Sequence, residues 1–168
     1  KLDRRFNLEE CSLFVHTRKM ESKLTKPLQP GQLIARGVAR YLRSLGYVSL
    51  EEFAPTRGLR VDIMVLGPKG ELWIIECKSS RADFNSDNKW GNYLEWSDRF
   101  FWAVNEDFPT KILPAENGLI IADAYDAHIL RNAPLHPVAT ARRKSLIHKF
   151  ATKAANRLHN FRDSEFTI

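Results

Sequence analysis

The amino-acid sequence predicts an α/β domain, a mixed β-sheet flanked by helices. Three observations carry that expectation. Apolar, β-branched residues over 59–66 and a second strand-like run over 71–78 flank Gly67-Pro68-Lys69-Gly70, which is hairpin turn chemistry. The stretch Gly118-Leu119-Ile120-Ile121-Ala122 is wholly apolar, as in a strand buried on both faces. Leu33, Ile34, Val38, Tyr41, Leu42 and Leu45 recur at helical spacing.

The remaining elements follow in chain order. Residues 1–29 read as a weakly structured extension that runs into the breakers Pro27, Pro30 and Gly31, with Met20 a candidate natural start. The first helix covers 31–45 and stops at Gly46. A strand at 47–54 is broken by 55–58 before the hairpin. The polar segment 79–88 is expected to be a turn. It leads into a predicted helix at 89–104, dense in aromatics (Trp90, Tyr93, Trp96, Phe100, Phe101, Trp102). After the buried strand, 127–130 adds an edge strand and 139–158 a long helix. The domain is thus placed at 30–160, with a C-terminal tail at 161–168.

A chain of 168 residues holds one such domain and is too short for two comfortable ones. Its formal net charge of +6 favours polyanionic partners. Cys11 and Cys77 form neither a CxxC pair nor a disulfide framework, so a reducing compartment is expected. The apolar run at 11–15 is too short for a secretory signal, and no run approaches a membrane span. These features predict a cytoplasmic protein that makes no membrane contact.

Charged residues inside the hairpin carry the chemistry. On one strand Ile74, Glu76 and Lys78 point one way and Trp73, Ile75 and Cys77 the other. Asp62, on the preceding strand, is nearly as far from the turn as Glu76, so two carboxylates and an ammonium converge. Phosphodiester hydrolysis needs such a set: oxygen ligands for Mg²⁺ and a lysine to orient water or stabilise charge on phosphorus. The same charges would also serve as a structural salt bridge at a sheet end.

The segments 58–62 (Gly-Leu-Arg-Val-Asp) and 75–80 (Ile-Glu-Cys-Lys-Ser-Ser) resemble motifs II and III of the PD-(D/E)XK nuclease superfamily. The likeness extends through Glu-Cys-Lys-Ser-Ser-Arg-Ala-Asp-Phe (76–84), Asp-Asn-Lys-Trp (87–90), Asp-Arg-Phe-Phe-Trp-Ala-Val (98–104), Gly-Leu-Ile-Ile-Ala-Asp-Ala (118–124) and Ala-Arg-Arg-Lys (141–144). Together these are similar to the MmcB-like family of bacterial DNA repair proteins, over about Pro30 to Leu158. The resemblance implies a restriction-endonuclease-like fold and work on damaged or branched DNA at the nucleoid. By the same resemblance Asp62 and Glu76, with the Cys77 backbone carbonyl, hold Mg²⁺ (or Mn²⁺), and Lys78 is the catalytic lysine. The first helix lacks the carboxylate that such sites often draw from it. Glu52, or Glu51, is the nearest substitute. Where some relatives carry Gln-x-x-x-Tyr on the next helix, this chain has Lys89 and Tyr93, placed on one helix face at i, i+4.

The stretch 139–162 contains Arg142, Arg143, Lys144, Lys149, Lys153, Arg157 and Arg162 and no acidic residue. Such a helix suits a DNA backbone, with Arg142, Arg143 and Lys144 as contacts alongside Lys89 and Tyr93. It would equally suit a solvated face packed through Leu146, Ile147, Phe150 and Leu158. The aromatics at 90–102 fit core packing, with Trp90 and Tyr93 as candidate base-stacking exceptions. Two functional classes follow: a Mg²⁺-dependent deoxyribonuclease, or a non-cleaving DNA-binding module that recruits other repair proteins. RNA is a further candidate substrate, and a homodimer a candidate assembly.

Overall fold

The computed structural model describes residues 27–87 and 89–163. The expected extension at 1–29 and the tail at 161–168 therefore lie largely outside the described residues.

Helix α1 (Pro30–Ser44) begins with proline at its first turn, where the missing N–H costs nothing, and the Gln29 N–H donates to Gln32 Oε1 at 2.8 Å. Ile34, Ala35, Val38 and Leu42 give it one buried stripe. It ends at Gly46, whose φ of +82° suits only glycine without strain. Strands β1 (Val48–Phe53), β2 (Val61–Leu66) and β3 (Leu72–Lys78) form an antiparallel meander. Ile63 pairs with Ile75 and Leu66 with Leu72, which fixes Asp62 opposite Glu76.

The predicted helix at 89–104 is corrected. Residues Trp90–Trp96 form a 3₁₀ helix, and Arg99–Val104 form strand β4, parallel to β3. The run Phe100-Phe101-Trp102-Ala103-Val104 is buried on both faces, so it has no period-two signature. Ser97 and Asp98 end the 3₁₀ turn, and the Asp98 carboxylate instead accepts the Leu72 and Val138 N–H groups. The expected turn at 79–88 also contains a short helix, α2 (Arg81–Ser86), whose Asp83 N–H donates to the Ser80 hydroxyl at 3.2 Å.

Strand β5 (Gly118–Ala122) lies parallel to β4, and β6 (Ala127–Arg131) closes the sheet antiparallel to β5. The strands lie in chain order, β1 to β6, in one mixed sheet. Helix α3 (Thr140–Arg162) is longer than its sequence signal. On one face Ile63, Val65, Ile75, Phe101 and Ala103 pack against α1. On the other, Met64, Ile74, Phe100, Trp102 and Val104 pack against Tyr93 and against Leu146 and Phe150 of α3. None of the described helices is long and apolar enough to cross a membrane.

Candidate active site

The start of β2 and the end of β3 meet at one end of the sheet, where the backbone supplies donors that the pairing no longer uses. The Asp62 N–H donates to Glu76 Oε1 at 3.1 Å, and the Cys77 N–H donates to Asp62 Oδ2 at 2.8 Å. Each carboxylate is thus held by the other strand's backbone through one oxygen. In an antiparallel pair a residue's N–H and C=O point to the same side, so the Cys77 carbonyl faces the Asp62 side. The first turn of α1 lies close to it: a Cβ built on Gly31 would come within 4.0 Å of that oxygen.

Lys78 Nζ lies 3.7 Å from Glu76 Oε2 and 2.6 Å from Asp87 Oδ2. Both Glu76 and Lys78 are buried, beside Trp102 and Val104 of β4. Burial and the charge of Asp62 push the Glu76 carboxyl up to about 8. Burial likewise raises Asp62, against the opposing pull of the Cys77 N–H and Lys78. For Lys78 burial works the other way, but Asp87 and Glu76 outweigh it and keep the ammonium protonated. Asp87 remains ionised despite its burial because Lys78 and the Lys89 N–H hold it. The half-buried Asp62 and the buried Glu76 therefore sit beside a lysine that already has its partner.

An open cavity of about 410 Å³ reaches this cluster, bounded by Gly31, Gln32, Glu51, Glu52, Asp62 and Lys78 among others. Its donors are oxygens, which fits a hard divalent cation: Asp62, Glu76 and the Cys77 carbonyl would hold it. Among the described residues no group of three or more His, Cys, Asp or Glu side chains is set to hold a metal. Such an ion would rely on that backbone carbonyl and on water.

The structure brings Asp62, Glu76 and Lys78 together as predicted and places Glu52 opposite Asp62. Glu52 has φ +52°, rare for a side-chain-bearing residue, and its carboxylate is paired with Arg60 at 2.5 Å. Lys89 and Tyr93 do not share a helical face, because a 3₁₀ turn replaces the α-helix. Lys89 is exposed, whereas Tyr93 is buried and its hydroxyl donates to the Arg60 carbonyl at 3.1 Å. Arg143 grips Asp98 and also donates to the Gly70 carbonyl at 2.8 Å. Gly70 is in the β2–β3 turn, so Arg143 and its neighbours Arg142 and Lys144 lie at the opposite end of the sheet, about 20 Å away along β3. Arg142 stacks on Trp96 and donates to the Glu95 carbonyl at 2.6 Å. Sequence reasoning gave no role to Asp87, although it lies within the quoted motif 87–90. Nor did it foresee that Arg157 would donate to the Glu51 carbonyl at the site's edge, at 2.5 Å.

Fold and site together define a class: a mixed-sheet α/β domain, consistent with restriction-endonuclease-like architecture, with a carboxylate pair and a lysine at the mouth of its central hairpin. The chain belongs to the MmcB-like family of DNA repair proteins, whose model matches residues 22–165. A protein of unknown function from Silicibacter pomeroyi has a similar solved structure: TM-score 0.83, 66% identity, covering 85% of this chain and 98% of that one. Among curated proteins nothing matches.

Proposed function

We propose that this DNA repair protein is a metal-dependent nuclease of the PD-(D/E)XK kind, hydrolysing phosphodiester bonds in damaged or branched DNA. The observation that carries the reading is the interlocked pair Asp62–Glu76, with Lys78 Nζ 3.7 Å from the Glu76 carboxylate. Mg²⁺ (or Mn²⁺), when bound there, supplies Lewis acidity to the scissile phosphate and to water. Asp62 and Glu76 are each oriented through one backbone-held oxygen; Asp62 lines the cavity, and the second Glu76 oxygen faces Lys78 Nζ. Lys78, kept protonated by Asp87, acts as an electrostatic stabiliser of charge developing on phosphorus. Glu52 adds a carboxylate at the rim once Arg60 turns away. A non-cleaving repair module is favoured by one observation: the Lys78 ammonium is already satisfied by Asp87 at 2.6 Å.

The test is a panel of branched, nicked and single-stranded DNA, and RNA, incubated with the full chain in Mg²⁺, Mn²⁺ or EDTA. Metal-dependent cutting is expected, falling at least about 100-fold in Lys78→Ala and in Glu76→Gln. Cutting unchanged in both variants refutes the site. Binding without cutting on any substrate transfers the case to the non-cleaving module.

A further inference from the structure

Helix α1 contains no acidic residue, and Arg36, Arg40 and Arg43 recur at i, i+4 and i+7, so one face presents a row of guanidinium groups. All three are exposed. Arg40 is partly committed: it donates to the Ala124 carbonyl at 3.3 Å and lies 5.8 Å from the Tyr125 ring. Arg36 and Arg43 have no ion pair or side-chain hydrogen bond among the described residues.

These arginines line a groove of about 480 Å³ between α1 and the edge strand β1, where Tyr47, Val48 and Ser49 form the other wall. Glu51 closes one end of this groove and also bounds the cavity that holds Asp62 and Lys78. The two hollows therefore adjoin, one acidic and one basic. From the opposite face of the sheet Arg157 reaches the Glu51 carbonyl and Lys149 the Pro55 carbonyl, adding positive charge around the same edge.

We propose that the α1–β1 groove is the track for the sugar-phosphate backbone of the DNA strand entering the Asp62–Glu76–Lys78 cavity, with Arg36 and Arg43 as its phosphate contacts. The proposal rests on the nucleic-acid reading of that cavity and adds the path. Arg36 and Arg43 are seven residues apart, about 10 Å along a helix. At that spacing two long guanidinium side chains would reach separate phosphates of one strand. A polyanion that ends beside the Asp62 and Glu76 carboxyl groups needs positive charge on its approach, and α1 supplies it.

The test is fluorescence anisotropy with single-stranded and nicked duplex DNA, in EDTA, from 50 to 200 mM salt. Arg36→Gln/Arg43→Gln in the full chain is expected to flatten the slope of log affinity against log salt by about 1.4 to 1.8. At 0.1 M salt its affinity should fall roughly 25- to 60-fold. The charge-matched variant Lys69→Gln/Lys111→Gln, outside the groove, controls for net charge and should retain the wild-type slope. Circular dichroism checks that both variants fold. An unchanged slope in the groove variant, or an equal loss in the control, overturns the track. A wild type that binds but never cuts with Mg²⁺ sinks the nuclease reading and leaves the track standing. One that cuts, with affinity unmoved by the groove variant, sinks the track alone.

Discussion

Replacing Asp98 by alanine should loosen the end of the sheet farthest from the candidate site. The Asp98 side chain is 4% exposed and accepts four hydrogen bonds: from the N–H groups of Leu72 and Val138, each at 2.8 Å, and from two Arg143 nitrogens at 2.6 and 2.5 Å. It ties the start of β3, the segment before α3 and the first turn of α3 to one point. Removing it strands two backbone donors and a guanidinium that is 28% exposed. Losing one partner of a buried ion pair costs about 3 to 5 kcal/mol. Water reaches Arg143 from one side, which argues for the lower figure, about 3 kcal/mol. At this chain length that lowers Tm by roughly 6 to 12 °C. Burial alone would raise the Asp98 carboxyl, but Arg143 and the two N–H groups hold it below its usual 3.8. A depressed folded value stabilises the protein above the unfolded one and loses that contribution as pH falls through the folded one. Urea unfolding followed by tryptophan fluorescence should show the full gap at pH 7, narrowing below about pH 4. A gap under about 1 kcal/mol at pH 7, or one that does not change down to pH 2.5, would refute the reasoning.

Two further predictions use the same assay. Because Glu76 is raised from 4.5 to about 8 in the fold, the native state holds a proton that the unfolded chain has released. Stability in EDTA should fall as pH rises across that window, by up to about 1.4 kcal/mol per pH unit, while Glu76→Gln lacks this slope. Parallel pH profiles for the two proteins would falsify the assigned burial. Gly37→Ala should destabilise by about 1 to 3 kcal/mol, since its Cβ would fall 2.1 Å from the Asp123 carbonyl oxygen, where α1 crosses the β5–β6 turn. A Tm equal to wild type would mean that this turn gives way more easily than its backbone hydrogen bonds suggest.

The hairpin and its three charged residues were legible because a short turn sets register: once Gly67 to Gly70 is a turn, Asp62 must stand near Glu76. Strand β4 was not. Its aromatics continue the helical spacing begun by Trp90, Tyr93 and Trp96, and a strand buried on both faces offers no alternation to contradict it. Asp87 and Asp98 lay inside motifs that marked the family resemblance, yet a motif names residues without their partners. Lys78 is nine positions from Asp87 and Arg143 is 45 from Asp98, and only the folded loops close those gaps.

The basic run on α3 shows why charge alone cannot locate a binding surface. Arg143 and Arg157 are fourteen residues apart, about 21 Å along the helix, nearly the length of β3. The run therefore spans the sheet from the far pin at Asp98 to the edge of the candidate site at Glu51. Arg143, near its N-terminus, is bound into a structural ion pair with Asp98, while its C-terminal half meets the same β1 edge that α1 approaches from the other face. A DNA backbone drawn to net positive charge would have no reason to choose the first end over the second. Under the proposed track, the positions of Glu51, shared by the acidic cavity and the arginine groove, and of Arg157 against its carbonyl favour the second. Topology, more than composition, places the cationic surface beside the candidate site.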